Sequence, residues 1–267
     1  MVRRLMQIPA GWLWLRLVVG LFRTRDAYVR LRLVRYIRDV TWFLRDFRRF
    51  RAMPSQAFQL DRVFPCLSDR TTFTPVDPLY FYQDCWFARK IFELKPAHHY
   101  DVGSSVRSIG LVSQFVPITM FDIRPIPLKL DQLEFRQGSI LDLPLADDSV
   151  ASISSLCVLE HIGLGRYGDP LDPQGSEKAI AELKRVVKPG GVIMVSVPVD
   201  RVNRVYFNAH RAFTRDYFLQ LFQGCTLLEE KYIYGSEMVD YYDPGRGFGT
   251  GLYLFRKQGD VSPFGPR

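Results

Sequence analysis

YDVGSSVRSIGLVSQFVPITMFD, residues Tyr100 to Asp122, is the stretch that decides the fold. It reads as a strand, a tight turn, a helix and a second strand. A carboxylate sits at each strand end, Asp101 just before Gly103 and Asp122 nineteen residues beyond that glycine. Doubly wound folds place a carboxylate on a ribose hydroxyl pair about 20 residues after the first turn. The stretch therefore predicts a nucleoside-binding crevice at the carboxyl edge of a parallel sheet.

The same periodicity runs outward from there. Candidate strands fall at 98–102, 117–121, 133–136, 150–156, 191–197, 226–232 and 251–256, and helices at 105–114, 175–187 and 214–222. Strands alternating with helices predict a Rossmann-like, doubly wound α/β fold. Its sheet is mostly parallel, of about seven strands. The last two strands have no good helix between them and form a closing antiparallel hairpin, and an N-terminal helical arm precedes the whole.

The turn itself narrows the ligand. A pyrophosphate needs bare backbone at three glycines, and only Gly103 is present; Ser105 and Arg107 or Ser108 stand where the others would be. A nicotinamide dinucleotide is disfavoured. S-adenosylmethionine carries no phosphate, and a turn with fewer glycines and more carboxylates suits it better. Asp101 would face its ammonium indirectly, Asp122 its ribose, and Asp142, in Gly138-Ser139-Ile140-Leu141-Asp142, its adenine amino group. Each aspartate alone also fits a turn or helix cap.

Further motifs follow in order: Leu143-Pro144-Leu145-Ala146-Asp147-Asp148-Ser149-Val150, then Val158-Leu159-Glu160-His161-Ile162, then Glu182 through Lys188-Pro189-Gly190-Gly191 into a strand ending at Pro198. Together they resemble class I S-adenosylmethionine-dependent methyltransferases over residues 98–257. Glu160-His161-Ile162-Gly163-Leu164-Gly165-Arg166-Tyr167-Gly168-Asp169-Pro170 and Tyr206-Phe207-Asn208-Ala209-His210-Arg211 resemble, more narrowly, an uncharacterised methyltransferase-like family of unknown function with nematode and bacterial members. The implied cofactor set is Asp101, Gly103, Ser104, Asp122, Ile140, Asp142 and Leu156. The chain departs from the usual Asp-x-Gly-x-Gly-x-Gly turn at Ser105, whose Cβ stands where a cofactor would lie close.

Chemistry is expected in the loops after the fourth and fifth strands. His161, His210 and Glu160 are the acid/base candidates, since an imidazole titrates near working pH. Arg166, Tyr167, Asn208 and Arg211 are the acceptor-binding candidates. The acceptor is read as a small molecule or a glycan-type hydroxyl compound. Small-RNA 2′-O-methyltransferases hold a metal with Glu-x-x-Glu-His; the first Glu is Cys157 here, so no metal is expected. The runner-up to an enzyme is a methyltransferase-like binding or scaffold protein with a closed pocket.

Charge is unevenly placed. The chain of 267 residues has a net charge of +8. Residues 1–53 contain thirteen Arg and three Asp, a net of +10, which leaves the remainder slightly acidic at −2. A basic nucleic-acid-binding body is therefore disfavoured. Leu5–Phe22 is apolar with Trp12 and Trp14, but Arg16 interrupts it, leaving runs too short to span a bilayer. Val29, Leu33, Tyr36, Ile37, Val40, Phe43, Leu44, Phe47 and Phe50 recur at helical spacing with arginines mostly off that stripe, which predicts an amphipathic basic helix. Two placements stay open for it: an anionic membrane face, or its own domain or a second subunit. The expected organisation is an arm at 1–53, a connector and lid at 54–95, the Rossmann-like domain at 96–258 and a tail at 259–267. Four scattered cysteines without a CxxC pair suggest a reduced, cytoplasmic setting, peripheral to the membrane if the arm adsorbs.

Overall fold

The computed structural model describes residues 27–53 and 58–259, with side chains from Leu31 onward. The apolar stretch 5–22 and the tail 260–267 lie outside the described residues. The chain divides into two units, residues 1–75 and 76–267. In the first, helix α1 (Ala27–Arg51) occupies the span that the apolar stripe predicts. No described helix is long and apolar enough to cross a membrane.

The second unit opens with helix α2 (Pro78–Leu94). Asp77 caps it, its carboxylate accepting from Leu79 N, and Pro78 supplies the preset φ of a first turn. Strand β1 (His99–Val102), helix α3 (Val106–Val112), β2 (Ile118–Asp122), β3 (Leu133–Gln137) and β4 (Val150–Leu156) follow. Then come helix α4 (Gly175–Val186), β5 (Val187–Val199), a ribbon of β6 (Arg204–Tyr206) and β7 (His210–Ala212), helix α5 (Arg215–Leu221), β8 (Cys225–Tyr234), β9 (Glu237–Val239) and β10 (Gly249–Lys257).

The sheet has eight strands in the order β3-β2-β1-β4-β5-β10-β8-β9. The five on the β1 side run parallel, and β10 lies antiparallel between β5 and β8. This is the expected Rossmann-like architecture with one strand more, because the short β9 pairs back on β8. Strand β5 also begins at Val187 rather than Gly191, with a register irregularity against β4 between Val150 and Ser152. The ribbon β6–β7 and helix α2 are additions that the sequence reading did not contain.

Both faces of the sheet are covered, so its central strands are apolar on both sides. Trp86, Phe87 and Ile91 of α2 and Ile109 and Val112 of α3 join Ile118, Met120, Leu156 and Met194 on one face. On the other, Ala179, Ile180 and Leu183 of α4 and Phe218 of α5 join Phe121, Ile153, Val195 and Val197. His99 is buried within the sheet with both ring nitrogens satisfied, at 2.8 and 2.9 Å from the hydroxyls of Ser152 and Ser154. Burial holds this imidazole neutral, its pKa lowered to about 3.

The edge of the second face rests on stacked rings. Phe222 and Phe255 are nearly parallel with centroids 4.0 Å apart, and both are buried. Truncating Phe222 to Ala leaves a void between α5 and β10. We expect a loss of about 3–5 kcal/mol, read as a lower urea midpoint with the slope of the transition unchanged. A loss under about 1 kcal/mol would show that this corner repacks freely.

Candidate active site

The chain reverses at Gly103 directly after β1. Gly103 has φ +72°, and a Cβ built there would stand 3.1 Å from Val158 Cγ1, so only glycine suits the turn. Asp101 fixes that turn from beneath. Its side chain is fully buried, accepting from Ser104 N at 3.1 Å, Ser104 Oγ at 2.6 Å and Ser154 Oγ at 2.5 Å. Ser104 Oγ in turn accepts from Leu156 N at 2.9 Å. Burial raises the pKa of Asp101 to about 6, against the pull of these hydrogen bonds.

Above this network lies an open crevice at the carboxyl edge of β1, β2 and β4. Val102, Phe121 and Ile140 give it apolar walls; Gly103 and Gly138 give it bare backbone. Asp122 lines it at the end of β2. Asp122 Oδ1 accepts from Arg124 N at 2.8 Å and Arg124 Nε at 3.3 Å; Oδ2 has no hydrogen-bond partner among the described residues. Ser105 does not line the crevice, and its φ of −63° is ordinary. The Cβ that replaces a customary glycine therefore leaves this space open.

The loop after β4 brings His161 to the mouth. Cys157 turns the chain at φ +53°, and a short 3-10 turn, Leu159–His161, follows. Gly163 is obligatory further on, since a Cβ there would lie 2.1 Å from Asp172 O. His161 Nδ1 lies 2.6 Å from Ala209 O in the ribbon. A carbonyl can only accept, so the proton is on Nδ1 and the lone pair on Nε2. Burial lowers the His161 pKa to about 4; the bond to Ala209 opposes this, and the Arg166 charge adds to it.

Glu160 lies 3.7 Å from Nε2 through Oε1. It is buried, and its Oε2 has no partner. Desolvation raises its pKa to about 8. Around neutral pH the Glu160–His161 pair is thus held with both members uncharged. Tyr167 stands edge-on to His161 at 5.6 Å, with the guanidinium of Arg124 at 4.8 Å and that of Arg166 at 5.1 Å from its ring centre. Arg166 also donates to Ala209 O at 3.0 Å.

Of the residues singled out in the sequence, Gly103, Asp122, Ile140, His161 and Tyr167 line the crevice together. Asp101, Ser104 and Leu156 do not; they form the scaffold under it. Asp142 is exposed, does not line the crevice, and makes a local bridge with Ser139. His210 packs at a tilt against both Tyr206 and Phe248, with centroids 5.1 and 5.6 Å away. Burial, and then the Arg166 charge, lower its pKa. Asn208 is exposed at the ribbon tip. Arg211, expected at the acceptor, is buried instead. It donates to Ile162 O at 2.5 Å, Ser176 Oγ at 3.2 Å, Asp172 O at 3.0 Å and Pro173 O at 3.2 Å, and so clamps the loop that carries His161.

The sequence reading missed Cys157, Val158, Ile162 and Arg124 on the crevice wall, and Gln83 behind it. Gln83, on α2, accepts from Cys157 Sγ at 3.0 Å and Ser196 Oγ at 2.6 Å. The Asp77-Pro78 pair, a helix-start signal ahead of Trp86, Phe87 and Ile91, is what would have pointed to that helix.

Residues 133–239 match the sequence family described as Caenorhabditis protein of unknown function, DUF268. No curated protein matches the chain by sequence. Among solved structures, an assigned sarcosine dimethylglycine methyltransferase from Galdieria sulphuraria is similar at 18% identity and a TM-score of 0.51, over 67% of this chain and 86% of that one. The N-methyltransferase NodS from Bradyrhizobium japonicum WM9 is similar at 14% identity and a TM-score of 0.50, over 68% and 98%. The [4+2]-cyclase SpnF is similar at 14% identity and a TM-score of 0.50, over 65% and 81%. At these identities the likeness establishes the fold. A cyclase among these neighbours shows that chemistry must be argued from the site.

Glu160 gives the site a measurable signature. The unfolded chain releases this proton near the ordinary glutamate value of 4.5, whereas the fold retains it to about pH 8. Between those values the unfolded state binds fewer protons, so stability declines as pH rises, by up to about 1.4 kcal/mol per pH unit. Glu160→Gln should remove that decline. In thermal melts the variant should gain on the wild type between about pH 5 and about pH 8.5; a constant difference between the two would mean that Glu160 is ionised in the fold.

Proposed function

We propose that the chain is an S-adenosylmethionine-dependent methyltransferase that methylates a hydroxyl of a small-molecule or glycan-type acceptor. The observation that carries this reading is the convergence, in one crevice, of the bare backbone at Gly103, the unpartnered Oδ2 of Asp122 and the imidazole of His161. The crevice fits the cofactor's chemistry. Asp122 Oδ2 offers an acceptor to a ribose hydroxyl, Ile140, Val102 and Phe121 offer apolar contact to a purine, and the Gly103 turn admits close approach. A single glycine at the first turn suits a ligand without a pyrophosphate.

The bound cofactor supplies an electrophilic methyl group. The chain's own residues orient the partners and handle the proton. His161 is locked by Ala209 O in the tautomer whose Nε2 can accept a proton. Its low pKa keeps it unprotonated at neutral pH, and Glu160 Oε1, 3.7 Å away, is the acid nearest to an imidazolium formed there. Positioning supplies much of the remaining rate. The half-exposed rings of Tyr206, His210 and Phe248 stand next to Arg166 on the ribbon side. They offer a stacking surface to a ring-bearing acceptor, with a guanidinium for an anionic substituent.

Calorimetric titration with S-adenosylmethionine, S-adenosylhomocysteine and NAD tests the reading. The first two should bind and NAD should not. Asp122→Ala should weaken binding about 10- to 100-fold, the cost of a lost hydrogen bond to a charged group. Absence of binding, or an unchanged affinity in the variant, would overturn the cofactor site and favour the scaffold role.

A further inference from the structure

Helix α1 and the segment after it have no core of their own. None of the described residues 31–53 and 58–75 is buried, yet they carry many large apolar side chains. Tyr36 is 47%, Leu44 40% and Phe50 60% exposed on the helix; Phe58, Phe64 and Phe73 are 85%, 76% and 69% exposed beyond it. At 100° per residue, Leu33, Tyr36, Ile37, Val40, Phe43, Leu44, Phe47 and Phe50 fall on one arc. The first, third, fourth, fifth and seventh of these are half-covered, and Tyr36, Leu44 and Phe50 are open. An apolar face this size on a soluble surface marks an interaction site.

The charge pattern selects the occupant. Residues 27–51 contain eight Arg and two Asp, a net of +6. Both aspartates are matched within the helix, Asp39 by Arg38 at 3.0 Å and Asp46 by Arg45 at 2.9 Å. Arg48 and Arg49 have no acidic partner among the described residues, and the last turn ends in Arg48, Arg49 and Arg51 around exposed Phe50. A second copy of this helix would bring +6 against +6. A zwitterionic or apolar partner would leave the arginines unused.

We propose that helix α1 lies flat on an anionic lipid surface, its apolar arc at the level of the upper acyl chains and its arginines on the lipid phosphates. On the same wheel Arg48 and Arg35 stand about 20° and about 60° beyond the two edges of the arc and Arg51 falls within it, whereas Arg38, Arg45 and Arg49 face the water side; long stems let the first three reach the headgroups while their methylenes stay near the acyl boundary. The planar guanidinium forks onto phosphate oxygens in two parallel hydrogen bonds. Apolar burial and electrostatic attraction act together in such helices, and neither alone anchors strongly. The inference is independent of the methyl-transfer reading: it stands on residues 31–51 and needs nothing from the crevice.

Flotation of the full-length protein with phosphatidylcholine vesicles, and with vesicles containing about a third phosphatidylglycerol, tests it. The protein should float with the anionic vesicles, fail to float with the neutral ones, and release as salt rises toward about 1 M, where the Debye length falls to about 3 Å. A combined Arg35→Gln, Arg48→Gln and Arg51→Gln variant should lower the partition coefficient about a hundredfold. A Tyr36→Gln, Leu44→Gln and Phe50→Gln variant should lose binding too, with the far-UV dichroism of both variants unchanged, since all six side chains lie on the surface. Failure to float, equal binding to neutral vesicles, or a dimer in solution that the apolar variant dissociates while vesicle binding is absent would each overturn the proposal. So would a preference for duplex oligonucleotide over anionic vesicles in competition.

Discussion

The buried carboxyl of Asp101 is the constraint on which the rest of the crevice depends. It reaches from the end of β1 to Ser154 on β4 and to both donors of Ser104. Through Ser104 Oγ it also holds the Leu156 backbone. Two parallel strands and the turn between β1 and α3 are thereby tied at one point. Such a network has a large stake in being complete, since a buried carboxyl without partners would cost several kcal/mol. Asp101 is accordingly a framework residue with the position, and not the exposure, of a ligand-binding one.

Much of the framework was legible in the sequence because it rests on local periodicity. The β1–α3–β2 unit, α4 and the two long closing strands announce themselves through apolar runs of the right length and through Gly103 and Lys188-Pro189-Gly190-Gly191. The orientation of individual polar groups was not legible. In a strand buried on both faces, alternation does not tell which way Asp101 points. In a short ribbon it does not tell that Arg211 turns inward, to carbonyls supplied by a loop some forty residues earlier. Asp142 shows the opposite outcome, an exposed turn residue placed where the spacing suggested a ligand. Helix α2 was hidden because its prolines and clustered aromatic residues read as a connector and lid, whereas four of its side chains are buried.

The two faces of the site are built by different means. The floor of the crevice consists of strand ends and a turn, set by the sheet. Its mouth consists of the loop after β4, anchored by buried Leu159 and Leu164, and joined to the ribbon β6–β7 by polar contacts. Arg211 holds the loop through four hydrogen bonds, and Asp169 folds it from within through Gly163 N and Tyr167 N. Loop and ribbon are therefore tied to one another above the sheet, a scaffold-and-loop arrangement in which loops commonly carry function.

The bond between His161 and the carbonyl of Ala209 gives that division an unusual form. The partner of the imidazole is a main-chain atom, so no side-chain replacement at position 209 can delete it. Replacing side chains around the tip, Phe207 and Asn208 among them, therefore leaves the ring its tautomer. What the arrangement does not tolerate is a change in the number of residues between β6 and β7, which would carry the carbonyl out of reach. Length, rather than side-chain identity, is what this bond requires of the ribbon.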